Sequence, residues 1–139
     1  MKYKKFNNTY IVRIEKGEEV ITKITELCNK ENIKLGSITG IGATDKLIIG
    51  LFDTNTKQYH KTTLTGPMEI TSLIGNISTK DSETYLHVHI NVCNSDMQVY
   101  GGHLNECYIS ATCELHIIKV DGEVDRYFDE NIGLNLYEL

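Results

Sequence analysis

A sheet carrying one helix is the fold this sequence predicts, and three observations predict it. One stretch alone, with Val20, Ile21, Ile24, Leu27 and Cys28, repeats apolar residues at helical spacing. After Leu35 the chain reads instead as strand-like runs separated by turn residues. At 139 residues, with 40 % hydrophobic and 24 % charged residues, it suits one domain, residues 1–139, around one core.

The elements follow in order. Tyr10 to Glu15, YIVRIE, alternates as a first strand, with Arg13 on the side of Ile11 and Glu15. Gly17, Glu18 and Glu19 mark a helix start, with acidic residues in the first turn where the helix dipole favours them. The apolar stripe lays that helix on a sheet, and the helix fades over Asn29 to Asn32. Gly36, Gly40 and Gly42 in GSITGIGA match neither a dinucleotide nor a P-loop spacing, and the strand-like run Lys46 to Phe52 follows them. A bulge or a close strand crossing is the expectation there. Asp53 to Thr56 reads as a turn, Gln58 to Thr65 as a polar ribbon, and Gly66 with Pro67 as a second turn.

In the next run, Met68 to Ser78, strict alternation puts Glu69, Thr71 and Leu73 on one face and Met68, Ile70, Ser72 and Ile74 on the other. Glu69 is thereby either an exposed edge charge or a candidate acid/base residue supporting a site. Lys80 to Glu83 is a charged turn. Leu104 to Glu106 is expected to change direction before Cys107 to Val120, the most strand-like run. Ile109, Ala111, Cys113, Leu115 and Ile117 share one face of it, Glu114 and His116 the other. Asp121 and Gly122 then suggest a tight hairpin, with Glu123 to Phe128 returning and Leu134 and Leu136 pinning the tail.

The chemistry concentrates in YLHVHINVCNSDMQVYGGHL, Tyr85 to Leu104. Strand side chains at i and i+2 point to one face, so His87 and His89 project together, with β-carbons roughly 6 to 7 Å apart. A turn at Asn94, Ser95 and Asp96 can return Gln98 to Tyr100 as a hairpin partner and bring His103 to them behind two glycines. Three neutral nitrogens with a vacant fourth position suit a zinc site that keeps a water. Cys93 shares the face but lies about 13 Å beyond His89 along an extended chain. The plainer alternative is a set of ordinary surface or core imidazoles.

Composition excludes other classes. No run approaches a membrane span, and Phe6 to Tyr10 gives Lys2, Lys4 and Lys5 no apolar segment of a signal peptide, so a cytoplasmic protein is expected. Cys28, Cys93, Cys107 and Cys113 form no Cys-x-x-Cys pair, and no disulfide framework is expected. A net charge of −5 with only two arginines, Arg13 and Arg126, disfavours attraction to phosphates.

The motifs SITGIGA, GPMEITSLIGNIS, LHVHINV, GGHL, ATCELHI, RYFD and GLNL occur in this order along nearly the whole chain. In that order and spacing the chain resembles the plants-and-prokaryotes conserved (PPC) domain of the stand-alone prokaryotic type. The resemblance implies an α+β domain with a largely antiparallel sheet, assembled as a homotrimer, and a divalent-metal site at His87, His89 and His103. It also implies DNA binding, although the arginine-centred minor-groove hook of the plant members has no counterpart here. Two further readings stand beside these, the first drawn from a fold similar to that of acetolactate decarboxylases. One is a metal-dependent lyase or hydrolase acting on a small keto or hydroxy acid, with Glu69 as acid/base and Arg126 as anion anchor. The other is a small-ligand sensor.

Overall fold

The computed structural model describes residues 1–139. One helix and eight strands follow in the order β1 (Lys2–Phe6), β2 (Thr9–Glu15), α1 (Val20–Glu31), β3 (Gly36–Asp53), β4 (Gln58–Lys80), β5 (Glu83–Asn94), β6 (Val99–Lys119), β7 (Arg126–Asp129) and β8 (Leu134–Tyr137). The first six strands form one antiparallel sheet in the order β1-β2-β6-β3-β4-β5, and β5 pairs in addition with the beginning of β6. Strands β6, β3, β4 and β5 therefore close on themselves. A single cluster of 24 buried hydrophobic residues fills the interior, including Ile38, Leu47, Leu73, Ile77, Val88, Ile90 and Leu115, so the α+β chain has one core and is one domain. The basic segment Lys2–Phe6 is an edge strand paired only with β2.

Helix α1 buries Val20, Ile24, Leu27 and Cys28 in that core, the stripe that its periodicity marks out. Its first turn holds no acid. Glu19 instead caps it, accepting from the backbone N–H of Ile21 at 3.0 Å and of Thr22 at 2.7 Å. The same carboxylate accepts from the Cys107 N–H at 3.0 Å, tying the helix start to β6. Asn32, in the left-handed conformation, ends the helix.

Two expected turns are continuous strand, and one expected hairpin forms elsewhere. Gly66 and Pro67 lie inside β4, where two steps of β3 from Thr44 to Lys46 face three of β4 from Met68 to Thr65. A glycine at φ +105 and a residue without an N–H satisfy a bulge as well as a turn. Leu104 to Glu106 does not reverse direction either; β6 runs through it, and Asn105 is an extra residue opposite Ile48 and Ile49. The return after Asp121 and Gly122 does not pair with β6: β7 pairs with β8 in a separate two-stranded sheet. A further bulge at Thr71 breaks the alternation of β4, because Ile70 and Ser72 face the adjacent residues Val92 and Asn91. Leu73 consequently points inward and Ile74 outward, a reversal of their expected grouping with Glu69 and Met68.

Candidate metal centre

Directly paired residues in a sheet point to the same side, so the register locates the site. His116 of β6 opposes Ile11 of β2 and Thr39 of β3, Thr39 opposes Ile74 of β4, Ile74 opposes His89 of β5, and His89 opposes His103 at the beginning of β6. This row runs across the outer surface of the sheet and ends in two imidazoles. His87, two residues from His89, supplies the third from the same face. Gly102 permits the approach, since a β-carbon there would stand 2.8 Å from the Gly50 carbonyl oxygen.

The three rings lie 5.1, 5.4 and 5.5 Å apart between centroids. One nitrogen from each falls within 4.8 Å of the others, and the Nε2 atoms of His87 and His89 are 3.2 Å apart. Two nitrogens bound tetrahedrally to one ion at about 2.0–2.1 Å stand roughly 3.3 Å from each other, so this spacing fits a shared metal. Burial pushes the imidazole pKa of His103 down to about 4, with the charges of His87 and His89 adding to the effect. Burial, then His89 and Arg126, lowers that of His87. Both shifts favour the neutral form that binds metal.

The thiols offer no competing ligand set. Cys28, Cys107 and Cys113 are buried, and loss of water raises their pKa values to about 12, 11 and 12. Cys93 lies on β5 beyond the cluster, as its position along the strand requires.

A cavity of about 600 Å³ opens beside the histidines. Its walls come from Gly50, Leu51, Phe52 and Tyr59 on the extended β3–β4 ribbon, from Tyr85 and Gly102, and from Arg126 with Leu134 to Tyr137 of the β7–β8 hairpin. The structure brings Arg126 to this site and leaves Glu69 away from it. Glu69 is exposed, pairs with Ala43 and Cys93, and borders no part of the cavity. Sequence reading missed Asn76, the residue directly opposite His87, and Tyr59, whose ring meets His103 edge-on at 6.2 Å. Neither carries a local signal, because both reach the site through pairing between strands.

The family model for the Plants and Prokaryotes Conserved (PCC) domain matches residues 1–121. The chain belongs to this family. Among solved structures, similar ones include a metal-containing protein from Archaeoglobus fulgidus, 34 % identical, with TM-score 0.90 and full coverage of both chains. A plant- and prokaryote-conserved protein from Pyrococcus horikoshii is 34 % identical, with TM-score 0.86 over 99 % of this chain and 94 % of that one. A protein from Bacteroides thetaiotaomicron, named provisionally as DNA-binding, is 36 % identical, with TM-score 0.96 over 99 % and 96 %. A Staphylococcus aureus protein similar to α-acetolactate decarboxylase shares the fold alone, at 11 % identity and TM-score 0.57 over 87 % of this chain and 55 % of that one. No curated protein matches the chain.

Proposed function

We propose that this PCC-domain protein holds a divalent ion, zinc in the first instance, on His87, His89 and His103, and that the ion's open side serves a small molecule in the adjoining cavity. The convergence of one nitrogen from each histidine within 4.8 Å carries this reading. Three imidazoles without a carboxylate or thiolate suit zinc and leave one position for water or a ligand oxygen, which the ion would polarise. The neighbour named as metal-containing supports it. The same arrangement is what metal-dependent catalysis needs, and turnover that stops on chelation would identify an enzyme rather than a sensor.

DNA contact has weaker support here. The name of the Bacteroides thetaiotaomicron neighbour favours it, but Arg126 is buried, Arg13 is bound to Glu15, and the chain carries −5. A net negative chain gains little sequence-independent attraction to phosphates, so this protein should show no sub-micromolar affinity for generic duplex at physiological salt.

We further propose a homotrimer assembled through the outer surface of the sheet. Ile11, Ile41, Ile74 and Ile118 are each at least 40 % exposed there; the register sets Ile11 diagonal to Ile118 and Ile41 diagonal to Ile74, with Thr39, Glu114 and His116 between the two pairs. Sedimentation should give the mass of three chains, and Ile41→Lys should lower it; a wild-type monomer would contradict the assembly.

For the ion, chelator-stripped protein titrated with zinc gives a direct test. A ligand at about 100 times its Kd stabilises a fold by about 2.7 kcal/mol, roughly 8–10 °C in Tm for a domain of this size. A rise of that order is expected, and an unchanged Tm together with an absence of zinc binding would remove the site.

A further inference from the structure

Arg126 is a buried cation that the metal centre leaves unused. It is 7 % exposed and takes part in no ion pair. Its wall of the cavity belongs to the β7–β8 hairpin, beyond the residues 1–121 that the family model matches. Withdrawing a guanidinium from water is costly unless an anion or a good set of hydrogen bonds compensates. Only neutral groups do so here. Nε donates to Ser78 Oγ at 2.7 Å, Nη1 to the Asn135 carbonyl at 2.9 Å, and Nη2 to Asn76 Oδ1 at 2.9 Å. The rings of Tyr85 and Tyr137 lie 4.7 and 4.2 Å from its central carbon. Of the five N–H donors of an arginine, two remain.

The position of this cation relative to the histidines is fixed by the sheet. Asn76 is the cross-strand partner of His87, so the guanidinium is anchored about one strand spacing, roughly 5 Å, from the His87 position. Both groups face the same cavity, which otherwise offers apolar wall at Leu51, Phe52, Leu134 and Leu136. No lysine and no carboxylate lines it. One rigid guanidinium beside a divalent ion, with apolar surroundings, matches a singly charged ligand better than a phosphate ester, which gathers several cations or backbone amides.

We propose that the cavity binds a small organic carboxylate. The carboxylate occupies the two remaining N–H groups of Arg126, a neighbouring ligand oxygen faces the ion of the three histidines, and a short apolar body lies against the leucines and Phe52. This rests on the metal reading above for its second anchor and on Arg126 for its first. A guanidinium serving only to staple the hairpin to β4 would show no preference for an anion.

The test is calorimetric titration of the zinc-loaded full chain with 2-hydroxyisovalerate, with its neutral amide and with inorganic phosphate, zinc content being measured on each sample. Charge-assisted hydrogen bonds of this kind correspond to about tenfold or more in affinity. The acid should bind at least about tenfold more tightly than the amide. Arg126→Gln should abolish that preference while retaining zinc, and Arg126→Lys should restore part of it. Equal binding of acid and amide, binding of neither with zinc in place, tighter binding of phosphate, or a preference that survives Arg126→Gln would overturn the proposal. The acid–amide comparison needs only the wild-type chain, so a variant that fails to fold does not block it. A wild-type chain without zinc would defeat the metal reading alone, and its acid–amide preference would still decide the Arg126 site.

Discussion

Two cavities of nearly equal size, about 600 and 590 Å³, lie along the outer surface of the sheet, and each is lined by histidine and by an arginine. In the smaller one, beside β1 and β2, His116 has no imidazole partner and Arg13 is exposed. The Arg13 Nε and Nη2 donate to the Glu15 carboxylate at 3.2 and 2.9 Å, so its charge is already met. In the larger cavity three imidazoles converge, no carboxylate is among the lining residues, and Arg126 is buried. The residue types are alike; what differs is unmet bonding capacity held away from water. That difference, more than the presence of histidine or arginine, separates a site from a surface.

The contrast can be broken by substitution. The largest effect is expected from His87→Ala, which should remove the bound ion from the first cavity and leave the fold intact, as read by metal content and circular dichroism. Retention of a full complement of metal by that variant would return the histidines to ordinary surface groups.

Acid should produce the next largest effect. In metal-free protein the folded-state pKa of His103 is about 4, below the ordinary imidazole value of 6.5, so the unfolded chain binds the proton more readily. Stability contributed by the neutral ring is present above pH 6.5 and is lost as the pH falls toward 4. Tm should decline across that window, and His103→Gln should flatten the decline; an equally steep profile in the variant would place its origin elsewhere.

The smallest effect belongs to the second cavity. Arg13→Gln removes an exposed ion pair, which water and salt screen. Denaturant unfolding should barely change, and carboxylate affinity should not change at all. A loss comparable with that of Arg126→Gln would erase the distinction between the two cavities.

Sequence reasoning reached the parts of this molecule that depend on local periodicity. The i, i+2 spacing of His87 and His89 and the turn at Asn94 to Asp96 are properties of adjacent residues, and the structure pairs His89 with His103 as that hairpin implies. The helix was legible for the same reason: Val20, Ile24, Leu27 and Cys28 are all buried. What escaped depends on a partner strand. An extra residue in one strand is defined only by its neighbour, so the bulges at Thr71 and Asn105 reversed side-chain phase or continued a strand without warning. Glu69 keeps the outward phase that alternation gave it and stands exposed near Cys93, away from the histidines, which the local pattern alone left open. Arg126 was named from the sequence as an anion anchor, but the hydrogen bonds that hold it were not legible, since Ser78 and Asn76 lie about 50 residues away in sequence.

The most direct single measurement is the metal content per chain of untagged protein, compared among wild type, His103→Ala and His116→Ala. These two histidines lie on the same strand and on the same outer surface, but only His103 meets two other imidazoles. About one ion per chain in wild type and in His116→Ala, with loss in His103→Ala, is the expected result. No stoichiometric metal in wild type, or equal content in all three, would contradict the three-histidine centre.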